Sequence, residues 1–90
     1  MTEIKKKYKS TRTKPQTKLG KLRIKRGMSQ AEFAKAAGIS ARTLQMYEQR
    51  ERRIEGASIE KLCDMSNALG CSIDDILEDE TVIKKVRSLN

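Results

Sequence analysis

The most informative segment is Ser29-Gln30-Ala31-Glu32-Phe33-Ala34-Lys35-Ala36-Ala37-Gly38-Ile39-Ser40-Ala41-Arg42-Thr43-Leu44-Gln45-Met46-Tyr47-Glu48-Gln49. It reads as two short helices joined by a tight turn. Ser29 is an N-cap residue, and Glu32 three positions on completes a capping box, so two orphaned backbone N–H groups find partners. Phe33, Ala34 and Ala37 share one helical face. Gly38 ends that helix because it accepts positive φ without a steric penalty. Ser40 caps the next helix, whose Leu44 and Tyr47 face inward at a spacing of three. Ala41, Arg42, Gln45 and Met46 are left on its other face. A steep, close crossing of the two helices needs a small residue at the contact, which Ala34 supplies, and Ile39 enters the core directly after the turn.

The same punctuation continues on both sides. Upstream, Thr17 caps a helix carrying Leu19, Leu22 and Ile24, and Gly27 closes it. Downstream, the polar run Arg50-Glu51-Arg52-Arg53-Ile54-Glu55-Gly56 reads as a loop. Ser58 caps a fourth helix with Ile59, Leu62, Met65, Ser66 and Leu69 on one face, closed by Gly70. Ser72 opens a short fifth helix, with Asp74 and Asp75 placed favourably in its first turn and Ile73, Ile76 and Leu77 on its buried side. No window alternates with a strand period. The expectation is an all-α, five-helix domain over residues 17–80. Residues 1–16 combine Lys, Thr and Ser with Pro15 and show no apolar period. They form either a solvated leader or a basic arm that folds onto phosphates. Residues 81–90 form a short basic tail or a helix extension, in which Val82, Ile83, Val86 and Leu89 either finish the core or meet a partner.

Ninety residues allow one hydrophobic core. The chain has no His, which removes imidazole metal sites and His-based triads. Cys63 and Cys71 are too few for a four-thiolate zinc site and read as inert thiols. With no glycine-rich phosphate loop either, the expectation is a non-enzyme without metal or cofactor. No signal peptide and no membrane-length apolar run are visible, which suggests a cytoplasmic protein. Charge is unevenly distributed. Residues 1–26 hold eleven Lys or Arg against Glu3 alone, whereas residues 54–80 hold eight acids against Lys61 alone. A formal net charge of +8, concentrated at one end, points to a polyanionic partner.

With KLRIKRGM before it and SIEKLCDMSNALGCSIDDILED after it, the quoted segment resembles the phage-repressor and Cro type of helix-turn-helix, the XRE family. The likeness covers roughly residues 18–79 and rests on Gly27-Met28-Ser29-Gln30, Gly38-Ile39-Ser40, Glu48 and Ala68-Leu69-Gly70. It implies a compact lambda-repressor-like bundle that binds double-stranded DNA as a homodimer. It also implies a bacterial or phage-encoded transcriptional regulator, usually a repressor. By position, the resemblance gives base contacts to Ala41, Arg42, Gln45 and Met46, and phosphate contacts to Gln30, Ser40 and Thr43. Arg42 suits guanine and Gln45 suits adenine. Arg23 and Glu48 occupy the places of a structural ion pair. Arg50, Arg52 and Arg53 lie where relatives reach phosphates, or they form a self-paired charged loop. The late helices, with Ile76, Leu77, Val82, Ile83 and Val86, are candidates for the dimer contact. The chain departs from the pattern by lacking the Gly that usually closes the third helix and the Pro that leads to the fourth. The competing reading is an antitoxin-like module whose acidic segment docks a protein partner.

Overall fold

Each α-helix starts where a side chain caps it. In the computed structural model, which describes residues 16–89, Thr17, Ser29, Ser40, Ser58 and Asp79 accept from backbone N–H groups of the helices that follow them. The helices are α1 (Lys18–Lys25), α2 (Gln30–Ala37), α3 (Ala41–Glu48), α4 (Ile59–Leu69) and α5 (Glu80–Arg87). Single 3-10 turns lie at Ile54–Gly56 and Ile73–Asp75. No strand occurs among the described residues. The expectations for residues 1–15 fall outside them.

The α2 cap is the reciprocal box that its sequence encodes. Glu32 N–H donates to Ser29 Oγ at 3.0 Å, and Ser29 N–H donates to Glu32 Oε1 at 2.8 Å. At the other end Gly38 sits at φ 70° and ψ 31°, and Ile39 N–H reaches back to the Ala34 carbonyl at 2.9 Å. This left-handed C-cap turns the chain sharply into α3. A Cβ at Gly38 would meet only Lys61 Nζ at 3.7 Å, so backbone conformation and not crowding demands the glycine. Lys61 Nζ itself donates to the Gly38 carbonyl at 2.9 Å, tying α4 to the turn.

α2 packs against both α3 and α4, and Phe33, fully buried, lies on its inner face. Leu19, Leu44, Met65, Leu69, Ile76, Leu77 and Ile83 complete a single core. Ile24, expected with Leu19 and Leu22 on the apolar side of α1, is instead 51% exposed, and two further features depart from the sequence pattern. Ile59, assigned to the apolar stripe, is 68% exposed because it is the first residue of α4 and points away from the core. The helix expected to begin at Ser72 is only one 3-10 turn, and the fifth α-helix comes later. The reason is that adjacent Ile76 and Leu77 are both buried, and the chain then runs extended to Asp79. Glu55 stabilises that extended stretch. Its Oε2 accepts the N–H groups of Glu78 at 2.7 Å and Asp79 at 2.8 Å, which would otherwise lack partners.

α5 closes the core through Ile83, with Val82 and Val86 packed beside it. Arg87 Nε donates to Asp74 Oδ2 at 3.0 Å, joining α5 to the Ile73–Asp75 turn. The Ser72 hydroxyl and then Arg87 hold the Asp74 carboxyl below its ordinary value of 3.8. Cys63 and Cys71 are free and half-buried, and burial raises the Cys71 thiol.

Ile83→Ala is expected to cost about 2–5 kcal/mol in urea unfolding, as for other buried Ile truncations, whereas Ile59→Ala should be near neutral. A pH effect follows from Asp74. Its folded pKa lies below its unfolded value, so its stabilisation is present above the ordinary carboxylate range. It is lost as pH falls through the depressed folded value. Ser72→Ala should therefore raise the Asp74 titration midpoint observed by NMR and flatten the acid limb of stability.

Candidate nucleic-acid interface

α3 divides its residues sharply. Leu44 and Tyr47 are buried on the inner side, while Ala41, Arg42 and Gln45 are exposed on the outer side and Met46 is half-buried between them. At its N-terminus, Ser40 Oγ accepts from Thr43 N–H at 3.0 Å and donates to Thr43 Oγ1 at 2.9 Å. The first turn of α3 carries no acidic residue. The positive end of its dipole is therefore left uncompensated beside two hydroxyls, which is a favourable place for an anion.

A hydrogen-bonded chain joins this outer face to the interior. Arg23 on α1 meets Glu48 at the end of α3 through two bonds, Nε to Oε2 at 2.7 Å and Nη2 to Oε1 at 3.1 Å. The remaining guanidinium nitrogen donates to the Met28 carbonyl at 2.8 Å. Both side chains are nearly nine-tenths buried. Glu48 Oε1 also accepts from Gln30 Nε2 at 3.1 Å, and Gln30 Oε1 in turn accepts from Gln45 Nε2 at 3.4 Å. Arg23, Glu48, Gln30 and Gln45 thus form one connected series from core to surface. Gly20, absent from the motif residues, sits directly beside it. A Cβ there would lie 3.2 Å from Thr17 Oγ1 and 3.5 Å from the Glu48 carboxylate. No local pattern signals it, because a glycine inside a helix usually reads only as a weak position.

The loop after α3 is knitted to the segment before α5. Arg50 Nη2 lies 3.2 Å from Glu78 Oε1. Arg53 pairs with Asp79 at 2.9 Å and with Glu55 at 3.6 Å. Arg52 is exposed and makes no ion pair among the described residues, and the same holds for Arg42. Of the three loop arginines, then, two are engaged with acids and one is not. Glu55 is a near neighbour of Arg53, but Glu78 and Asp79 lie more than 20 residues from their arginines, beyond the reach of local sequence reasoning.

Because the Arg23–Glu48 pair is largely removed from water, replacing one partner leaves a desolvated charge. Arg23→Met should cost about 3 kcal/mol, near the low end for broken buried pairs. Adding Glu48→Leu should recover part of that loss in a double-mutant cycle read by denaturant unfolding.

Among the described residues no helix is long and apolar enough to cross a membrane. No curated protein matches the chain. The family model described as helix-turn-helix matches residues 19–76, from α1 through the Ile73–Asp75 turn. The α2–turn–α3 geometry lies inside that match, and the chain therefore belongs to the XRE type of helix-turn-helix family, the DNA-binding transcription regulators.

Proposed function

We propose that the chain recognises a specific duplex DNA sequence by placing α3 in the major groove, and that it acts there as a repressor. The observation that carries this reading is the outer face of α3, where Arg42 and Gln45 are exposed on a helix held by the Arg23–Glu48 pair. Arg42 offers the guanidinium fork that fits the O6 and N7 of guanine, and Gln45 the amide that fits adenine. Ala41 and Met46 supply apolar contact for a thymine methyl. Gln30, Ser40 and Thr43 lie at the starts of α2 and α3, where backbone and side-chain donors suit phosphate oxygens. Arg52, which makes no ion pair among the described residues, is poised for a phosphate. Arg50 and Arg53 would exchange carboxylates for phosphates.

The chain acts as a homodimer on paired half-sites, with the recognition helices about 34 Å apart. Support for self-association comes from a groove of about 340 Å³ between α4 and α5, whose rim includes the exposed Ile59 and Leu89. The eight acids of residues 54–80, set against Lys61 alone, favour a second reading, an antitoxin-like contact with a basic protein. Stoichiometric recovery of such a protein with the full chain would support it.

Selection from a random DNA pool should yield a palindromic consensus. Arg42→Ala should lose about 1–3 kcal/mol on that site and relax preference at one base pair. Arg52→Gln should instead weaken all sequences alike and lower the salt slope by about 1. Unchanged discrimination by Arg42→Ala would refute the assignment of α3 as reader.

A further inference from the structure

We propose that the cavity beneath the C-terminal end of α3 binds a small apolar molecule carrying one acidic group. It measures about 280 Å³, just below the roughly 300–1,000 Å³ of most small-molecule sites. It therefore suits a ligand of about one ring and one acid. Leu19, Ile54, Ile76 and Tyr47 give it an apolar, buried lining. It lies on the inner side of α3, away from the face that carries Arg42 and Gln45, and the inference does not depend on the DNA reading.

The polar groups still uncommitted in this lining select the ligand. All three acids are engaged. Glu55 accepts two backbone N–H groups, and Glu78 accepts from Lys18 N–H at 2.7 Å and from Arg50. Asp79 pairs with Arg53 and caps α5. A cationic ligand would find no free carboxylate. Of the groups left over, Tyr47 and Arg52 can both donate. Tyr47 is only 8% exposed, and its hydroxyl has no hydrogen-bond partner among the described residues. Arg52 lines the same cavity with no ion pair among the described residues. A buried hydroxyl left unpaired is costly and asks for a partner. An anionic acceptor attached to an apolar body satisfies Tyr47 and Arg52 together while covering the apolar lining.

Phenylacetate serves as the probe, with phenylacetamide and phenethylamine as its neutral and cationic counterparts. Each is titrated into the full ¹⁵N-labelled chain. Phenylacetate is expected to shift the amides of Leu19, Ile54 and Glu78 with millimolar affinity, as befits about ten heavy atoms. Both counterparts should bind more weakly by about fivefold or more, because only the acid makes charge-assisted bonds. Arg52→Gln and Tyr47→Phe should each weaken phenylacetate by about threefold or more while keeping the dispersed spectrum of a folded chain. The proposal is overturned by the absence of shifts at those amides up to about 50 mM, or by the amine binding as well as the acid. Shifts confined to Ile59, Val82 and Val86 in the other groove would overturn it too, as would unchanged affinity in Arg52→Gln.

Discussion

The contact between Arg23 and Glu48 fixes α1 and α3 in place. α3 is only eight residues long and ends on an acid, Glu48, where the helix dipole already concentrates negative charge. Left alone, that end would be unfavourable to bury. The Arg23 guanidinium neutralises it with two parallel bonds and fixes its orientation. α1 is thereby locked to α3, and Gly20 on α1 keeps the approach open. The same carboxylate holds Gln30, and Gln30 accepts from Gln45. A surface residue of α3 is in this way oriented by a charge pair near the core.

Most of the fold was legible because it is locally encoded. The caps at Thr17, Ser29, Ser40 and Ser58 each act on an N–H three residues away, and Gly38 acts on its own φ. Such signals need no tertiary information. What local reading could not supply was the path from Ser72 onward. Asp74 and Asp75 favour a helix start, yet burial of both Ile76 and Leu77 prevails, and Glu55 from a distant turn captures the N–H groups that a helix would have used. Asp79 then takes over as the cap for α5. The site divides in the same way. The outward set Ala41, Arg42 and Gln45 follows from helical spacing, whereas the pairing of Arg50 and Arg53 with Glu78 and Asp79 depends on contacts across the fold.

Those pairings give the uneven charge of the sequence a structural meaning. The acids of residues 54–80 do not simply form a face opposite the basic one. Glu55, Glu78 and Asp79 reach the loop beside α3 and neutralise two of its three arginines. Exposed pairs of this kind contribute little to stability, about 0–1 kcal/mol each. Their larger effect is on the field around α3, where Arg42 and Arg52 make no ion pair among the described residues.

The loop also explains how the chain manages without a glycine at the end of α3. Arg50 stands at φ 60°, the only non-glycine with positive φ among the described residues. A left-handed residue with a Cβ costs about 1–2 kcal/mol. The conformation persists because it lets three N–H groups close the helix end. Arg50 N–H bonds the Tyr47 carbonyl at 3.2 Å, and the N–H groups of Glu51 and Arg52 both reach Met46 at 2.9 and 3.1 Å. Each of these is worth about 1 kcal/mol, so together they exceed the backbone cost. Buried Ile54 anchors the next turn, and the Arg50–Glu78 bond fastens the loop to the segment leading into α5. A glycine would relieve the strain at this position but would also remove the side chain that makes that last connection.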